Sequence, residues 1–473
     1  MAEYAKQFSM TPKKVPAVNT KYRKICTEIP NEEAVKIIDG LRTNEPLSMS
    51  GQPPVVWDRA EGIHVFDKWG NKWIDFSSCV VVANAGHCNP KVKEAILNMV
   101  NHNLLNNYCF PSEIREKLTR KIATEIAPEG LNKVFLLTTG SESTECAIKL
   151  ARTHGIKIGG KKKNIVVTFD DSFHGRTMGA QMAGGSPGGK AWIVNQDKEL
   201  IQVPFPNSFK YEWADQTRED YSDEKCFEIF LEYLKEKGVE DYDCIAGIMT
   251  ETFQGGWCEL MPAGFVKLLR EFCTEHQIVM IFDEVQAGFG RTGKMFGFMH
   301  ADVIPDLICC GKGISSSLPL SCVIGRQEIM DLYGPTQMTS THSGNPVCSA
   351  AALASIEYLQ ENNLVDHCAE MSEICRKRLN EIKGKYTDFI GFVSGVGLAW
   401  AVIMVKKGTK EIDCDLAHDI VEAAMEKGLL MFAPVGDGAT LKIVPPLVIE
   451  EDALNEAFDT LDESIGQVLE SYK

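Results

Sequence analysis

The chain lacks metal-binding spacings, a membrane-length apolar run and any excess of positive charge. Its sixteen cysteines contain no Cys-x-x-Cys pair, and its ten histidines no His-x-x-x-His pair. Zinc and disulfide frameworks therefore have little support, and no metal is expected. Reduced thiols in a cytoplasmic protein are the simpler reading. The longest nearly unbroken apolar run, 396–405, is strand-length and far short of a spanning helix. The opening MAEYAKQFSMTPKK has no apolar stretch of signal-peptide length. Lys plus Arg number 49 against 65 Asp plus Glu, a formal net charge of −16. Such a surface repels phosphate backbones and anionic lipids, which argues against nucleic-acid and membrane partners. No repeat or low-complexity segment is present.

What remains is an ordinary globular composition, 44% hydrophobic over 473 residues, with room for a large core. Residues 55–76 read as a hairpin with turns at Glu61-Gly62 and Gly70-Asn71. From about residue 115, helical stretches such as REKLTRKIATEIA alternate with short apolar strands at 134–139, 165–169, 245–251, 278–283, 307–310 and 321–325. Strands separated by helix-length segments predict parallel crossovers in a doubly wound sheet. After Pro346 the chain reads as helical to about Ile382, then as the strand GLAWAVIMV, a helix, the strand LKIV and a last helix from 450. The expected class is α/β: a large central domain, 76–345, with a smaller α+β domain assembled from 1–75 and 346–473.

Ligands of such a sheet bind beyond the carboxyl ends of its strands. The first strand runs into Gly140-Ser141-Glu142-Ser143. Free amides at the following helix start make an anion site, most naturally for phosphate, with Ser141 able to cap the helix. A capped strand–helix turn accounts for the same residues. Another strand ends in Asp283-Glu284, an acid suited to a cationic ligand or to a helix cap; no second carboxylate follows at metal spacing. A third ends in Gly311-Lys312-Gly313. A lysine between glycines after a buried strand can reach into a cleft as an amine nucleophile, or stand in a solvated loop. Pyridoxal 5′-phosphate needs all three: an amine for its aldehyde, a carboxylate for its ring nitrogen and an anchor for its phosphate.

With those residues in view, the sequence resembles the class III (omega-amino acid) pyridoxal-phosphate aminotransferases, of fold type I. The resemblance runs from about Asp58 to the last helix. Its most specific stretches are IDFSSCVVVANAGHCNP, TTGSESTECAIKLAR, SFHGRTMG, IFDEVQAGFGRTG, CCGKGISSSLPLSCVIG and THSGNPVCSAAALA. It implies that Lys312 is the Schiff-base lysine and proton carrier, and that Asp283 pairs with the ring nitrogen. Gln286 would bond the phenolic oxygen, with Phe173 stacked on one ring face and Val285 on the other. Gly140 and Ser141 would hold the phosphate, joined by Thr341 from a neighbouring subunit, so that a homodimer shares each active site.

For substrates, the resemblance implies that Arg176 binds the acid end of an omega-amino acid, its planar guanidinium matching a carboxylate or sulfonate. A structural arginine paired with Glu251 is the competing reading. Cys79, Val80 and Val81 would wall the pocket and suit a short aliphatic spacer. Two positions depart from relatives that use 2-oxoglutarate. Lys442 stands where an arginine is common, before Pro445-Pro446, and Gly256 stands where a glutamate neutralises that arginine. Lysine lacks the fork geometry, which opens the acceptor to pyruvate as well as 2-oxoglutarate. The expected reaction is ping-pong transfer of a terminal amine to a 2-oxo acid. Candidate donors are 4-aminobutyrate, β-alanine, taurine, 5-aminovalerate and a 3-aminoacyl thioester. The alternatives are a lyase or mutase of the same fold, and a non-catalytic scaffold.

Overall fold

A computed structural model describes residues 6–472. The chain forms two compact units: Pro90–Gly255 with Glu259–Val365, and Met1–Asn89 with Gly256–Cys258 and Asp366–Lys473. The sequence reading put these divisions at 75/76 and 345/346 instead. The helix Pro346–Glu361 packs on the helix Pro90–Asn101 through Ala351, Ala354 and Val92, which keeps both helices in the first unit.

That first unit is built on seven strands: β1 Lys133–Leu137, β2 Ile165–Phe169, β3 Leu200–Val203, β4 Ile245–Glu251, β5 Val279–Asp283, β6 Leu307–Cys310 and β7 Ser321–Gly325. Their spatial order is β1-β7-β6-β5-β4-β2-β3. The β2, β3, β4, β5 and β6 pairings are parallel, and only β7 runs against its neighbours. β4 to β7 are buried along their whole length. Their apolar runs are therefore continuous rather than alternating, as expected of a sheet covered on both faces. One covering layer is the helix Gly140–Gly159, whose Ala147, Leu150 and Ala151 pack with Met249, Ile281, Leu307 and Val323.

The helix read at 115–127 is α-helical over Glu113–Lys121 and closes in a single wide turn, Ile122–Ile126. The long helix read after Pro346 is two helices, Pro346–Glu361 and Leu364–Lys385.

In the second unit, Lys72–Asp75 pairs antiparallel with His64–Phe66 and parallel with Leu429–Leu430, so the two chain ends share one sheet. A separate antiparallel sheet joins Ile390–Val396, Ala399–Met404 and Thr440–Ile443. Among the described residues no helix is long and apolar enough to cross a membrane, and no two cysteines form a disulfide.

Candidate active site

Parallel register brings three strand ends together. Asp283 lies opposite Glu251 on β4 and Cys309 on β6. The amide of Glu284 donates to the Cys309 carbonyl at 2.8 Å, which ties the two chains where they leave the sheet. Three residues past Cys309 stands Lys312, the first residue of a short 3-10 turn, at φ 39°. A non-glycine residue in this left-handed region is costly, and such conformations cluster at functional sites.

Beside Lys312, a Cβ added to Gly311 would stand 3.2 Å from Val285 Cγ1 and 3.6 Å from Gly140 Cα; one added to Gly140 would stand 3.0 Å from the same Val285 carbon. The three strand ends therefore meet at a patch where backbone takes the place of side chains. The helix that begins at Gly140 is capped by Thr139, not by Ser141. The Thr139 hydroxyl accepts from Glu142 N at 3.3 Å, and the Glu142 carboxylate accepts from Thr138 N and Thr139 N at 2.8 and 3.0 Å. This reciprocal box leaves the Ser141 hydroxyl outside the capping pattern. Ser340 donates to the same carboxylate at 3.2 Å, and the exposed Thr341 follows it.

No helix follows Asp283, so it caps none. Its Oδ1 accepts from Val285 N at 3.0 Å and its Oδ2 lies 2.8 Å from His174 Nδ1. Asp283 is 4% exposed and His174 2%. The segment carrying His174 is held on several sides. Thr144 donates to the His174 carbonyl at 2.7 Å, and Phe173 N donates to Glu251 Oε2 at 3.0 Å. Gly175 has φ +134° and lies so close to Ser141 that an added Cβ would stand 2.7 Å from the serine Cβ. Glu145 receives Thr177 Oγ1 at 2.5 Å and Ala180 N at 3.0 Å, fixing the chain just beyond Arg176.

Arg176 is exposed, 5.4 Å from the Phe173 ring centroid. Among the described residues it makes no ion pair, and Glu251 is not its partner: Glu251 Oε1 accepts instead from Gly255 N at 3.2 Å. Gln286 approaches the same corner, its Cδ 2.9 Å from a Cβ added to Gly255.

Two further buried acids flank Asp283, Glu251 and Glu284, to which the sequence assigns no role beyond a possible Arg176 partner and a strand-end neighbour. Burial pushes the Glu251 carboxyl up to about 7, and the nearby Asp283 adds to the effect. Glu284 is pushed up to about 7 by its own burial, although it accepts from Thr252, from Gly297 N at 2.7 Å and from Phe298 N at 3.2 Å. Glu251 ends β4 and Glu284 follows β5, so their place at the strand ends is visible in the sequence, whereas their burial is not.

The remaining expected site residues belong to the second unit. Cys79 and Val80 are exposed, while Val81 is buried at 1%. All three, with Ser78, have left-handed φ between 47° and 64°. Lys442 is a buried strand residue opposite Ala401. Gly256 approaches Gly436, whose Cα would lie 3.2 Å from an added Cβ. A cluster with metal-ligand potential also lies in this unit, His418, Asp419 and Glu422. Its acids are already engaged, Asp419 by Lys6 and Tyr472 and Glu422 by Ser9 N.

A helix start at Gly140, the buried Asp283 carboxylate and Lys312 stand at neighbouring strand ends, and the donor set fits pyridoxal 5′-phosphate: an amine for its aldehyde, an acid for its ring nitrogen and free amides for its phosphate. Comparison with known proteins gives the family. The class-III aminotransferase family model matches residues 48–465. A 4-aminobutyrate aminotransferase of Mycobacterium leprae is 31% identical over 449 residues, covering 94% of this chain and 98% of that protein. A leucine/methionine racemase of Thermococcus litoralis is 32% identical over 421 residues, covering 88% and 92%. The solved structure of a Bacillus anthracis aminotransferase aligns with a TM-score of 0.81 at 27% identity, covering 92% of this chain and 99% of that one.

Proposed function

The chain belongs to the class-III aminotransferases, enzymes that use pyridoxal 5′-phosphate to pass an amine to a 2-oxo acid, and we propose that its donor is an omega-amino acid held by its acid group at Arg176. The carrying observation is the state of Arg176: exposed, on the aromatic face of Phe173, and paired with no carboxylate among the described residues. A guanidinium left open in this way suits a substrate carboxylate or sulfonate. The donors that fit are 4-aminobutyrate, β-alanine, taurine, 5-aminovalerate and a 3-aminoacyl thioester. The acceptor is 2-oxoglutarate or pyruvate, with Lys442 offering a charge without a fork.

The bound cofactor supplies an electron sink for the substrate carbon that loses a proton. Lys312 would supply the amine that holds the cofactor's aldehyde, and its Nζ would serve as the proton carrier of the site. Asp283, which accepts from Val285 N and lies against His174, would hold the cofactor's ring nitrogen protonated. Gly140 and Ser141 direct amides at the phosphate. Gln286 donates to the phenolic oxygen. Phe173 and Val285 would cover the ring's two faces. The exposed Thr341 serves the neighbouring subunit of a homodimer. Sixteen cysteines without a disulfide suit a cytoplasmic setting.

A donor-by-acceptor activity screen on the purified protein tests this reading. Terminal-amine donors should turn over repeatedly only with a 2-oxo acid present, and donor alone should convert one equivalent of cofactor and then stop. Continued product formation without an acceptor would instead identify a lyase or mutase.

A further inference from the structure

We propose that His418, Asp419 and Glu422, in the second unit, form a binding site for one divalent transition-metal ion of the zinc type. All three lie on the helix Cys414–Glu426, and one ligand atom from each falls within 4.8 Å of the others. His418 and Glu422 stand at i and i+4, so the helix itself stacks them on one face. The sequence reading looked for Cys-x-x-Cys and His-x-x-x-His pairs, and the run H-D-x-x-E is neither.

His418 carries the argument. It is 5% exposed, yet among the described residues neither ring nitrogen has a hydrogen-bond partner. A buried polar atom without a protein partner commonly meets a water or an ion instead. Phe8 stacks on the imidazole, with ring centroids 4.1 Å apart and planes 26° from parallel, which fixes the plane in which the nitrogens point. Nδ1 lies 3.7 Å from Asp419 Oδ1. That is too long for a hydrogen bond. It is close to the roughly 3.4 Å between two ligand atoms on a tetrahedral zinc ion whose bonds are about 2.1 Å.

The two carboxylates are prepared in the same sense. A neutral donor holds one oxygen of each: the Tyr472 hydroxyl donates to Asp419 Oδ2 at 3.0 Å, and Ser9 N donates to Glu422 Oε1 at 2.9 Å. Outer donors of this kind orient a ligand carboxylate while its second oxygen faces the ion. The second oxygen of Asp419 is bound by the Lys6 ammonium. A cation therefore already stands at the carboxylate that the metal would take. The Lys6 side chain is 41% exposed, so it can withdraw into solvent when the ion enters. One imidazole and two carboxylates suit zinc, with a water as fourth ligand.

The test titrates zinc chloride into chelator-treated, desalted holoenzyme by calorimetry and counts the bound zinc after dialysis. His418→Phe keeps a ring against Phe8 and removes both nitrogens. Glu422→Gln keeps the shape and removes the charge on a partly exposed helix face. Tyr472→Phe removes an outer donor, and Lys6→Ala removes the competing cation. Cys414→Ser controls for exposed thiols, which also bind zinc. Retained cofactor absorbance shows that each variant is folded.

The expected result is one zinc ion in the wild type, retained by Cys414→Ser. Tyr472→Phe should weaken binding about 10- to 100-fold, the usual cost of losing an outer partner. His418→Phe and Glu422→Gln should weaken it more, and Lys6→Ala should tighten it. Zinc bound equally by wild type, His418→Phe and Glu422→Gln is an adventitious ion only and overturns the site. Loss of binding in Cys414→Ser, or no binding in either wild type or Lys6→Ala, overturns it as well. Unchanged affinity in Lys6→Ala overturns the arrangement in which the ion replaces the ammonium.

Discussion

Replacing Glu251 by glutamine should change how stability depends on pH, with a sign and size that follow from its surroundings. Glu251 is fully buried, accepts from Phe173 N and Gly255 N, and lies opposite Asp283 in the sheet. Burial and the neighbouring aspartate raise its carboxyl from 4.5 to about 7, against the opposing pull of His174 and the two amides. As pH rises through 4.5 the unfolded chain ionises while the folded one stays protonated. Over that window the unfolded state binds fewer protons, so folding stability falls until the folded carboxyl also ionises near 7. The interval from 4.5 to 7 is worth about 3 kcal/mol at roughly 1.4 kcal/mol per pH unit. Glutamine cannot ionise, so it escapes this loss. It pays a pH-independent cost instead, because its NH₂ faces one of the two amides; a lost hydrogen bond of this kind costs about 1–3 kcal/mol. Glu251→Gln should therefore be less stable than wild type near pH 5 and equal to it, or more stable by up to about 2 kcal/mol, near pH 8. Urea midpoints of the two apo proteins at matched concentration, taken across that range, read the difference directly. Two parallel curves would show that Glu251 titrates alike in both states, and that the burial argument is wrong.

Other substitutions test the site's geometry. Arg176→Ala should raise KM for acid-bearing donors by the equivalent of about 2–5 kcal/mol, the usual cost of breaking a charge-paired contact. Uncharged amine donors should be spared, and an equal loss for both would remove the assigned role. Gly175→Ala forces a side chain to φ +134° and to 2.7 Å from Ser141 Cβ, a strain of about 1–3 kcal/mol at the phosphate end. Cofactor dissociation measured by fluorescence should rise roughly tenfold or more, and unchanged affinity would show that Ser141 plays no part in holding it.

Much of this arrangement is legible without coordinates. Strands such as IVVTF and IVMIFD announce themselves because burial on both faces demands unbroken apolar, β-branched runs. Lys312, Asp283 and Gly140 then stand out as the polar or flexible residues at which those runs stop. The edge strand Leu200–Val203 is less visible, since LIQV is four residues long, interrupted by Gln202 and only partly buried at its first three positions. Thr139 rather than Ser141 caps its helix because Glu142 completes the box, a spacing visible in T-G-S-E once the helix start is fixed correctly. The turn Ser78–Val81 runs against propensity: two valines adopt left-handed angles that their branched side chains disfavour. Tertiary contacts hold it, with Ser78 Oγ on the Val444 carbonyl at 2.5 Å and Asp75 Oδ1 accepting from Ser77 N at 2.7 Å. Asp75 is itself held by His87 at 2.7 Å. Local sequence carries no sign of such an outcome. The same holds for Gly256, whose approach to Gly436 gives a spatial reason why a glutamate there would crowd the backbone.

The most direct measurement locates the covalent link between chain and cofactor. The fully loaded protein is reduced with borohydride, digested and mapped by mass spectrometry. A single cofactor adduct on the peptide carrying Lys312 is the predicted result. An adduct on a different lysine, or none in a sample whose absorbance shows full loading, would contradict the assignment of Lys312.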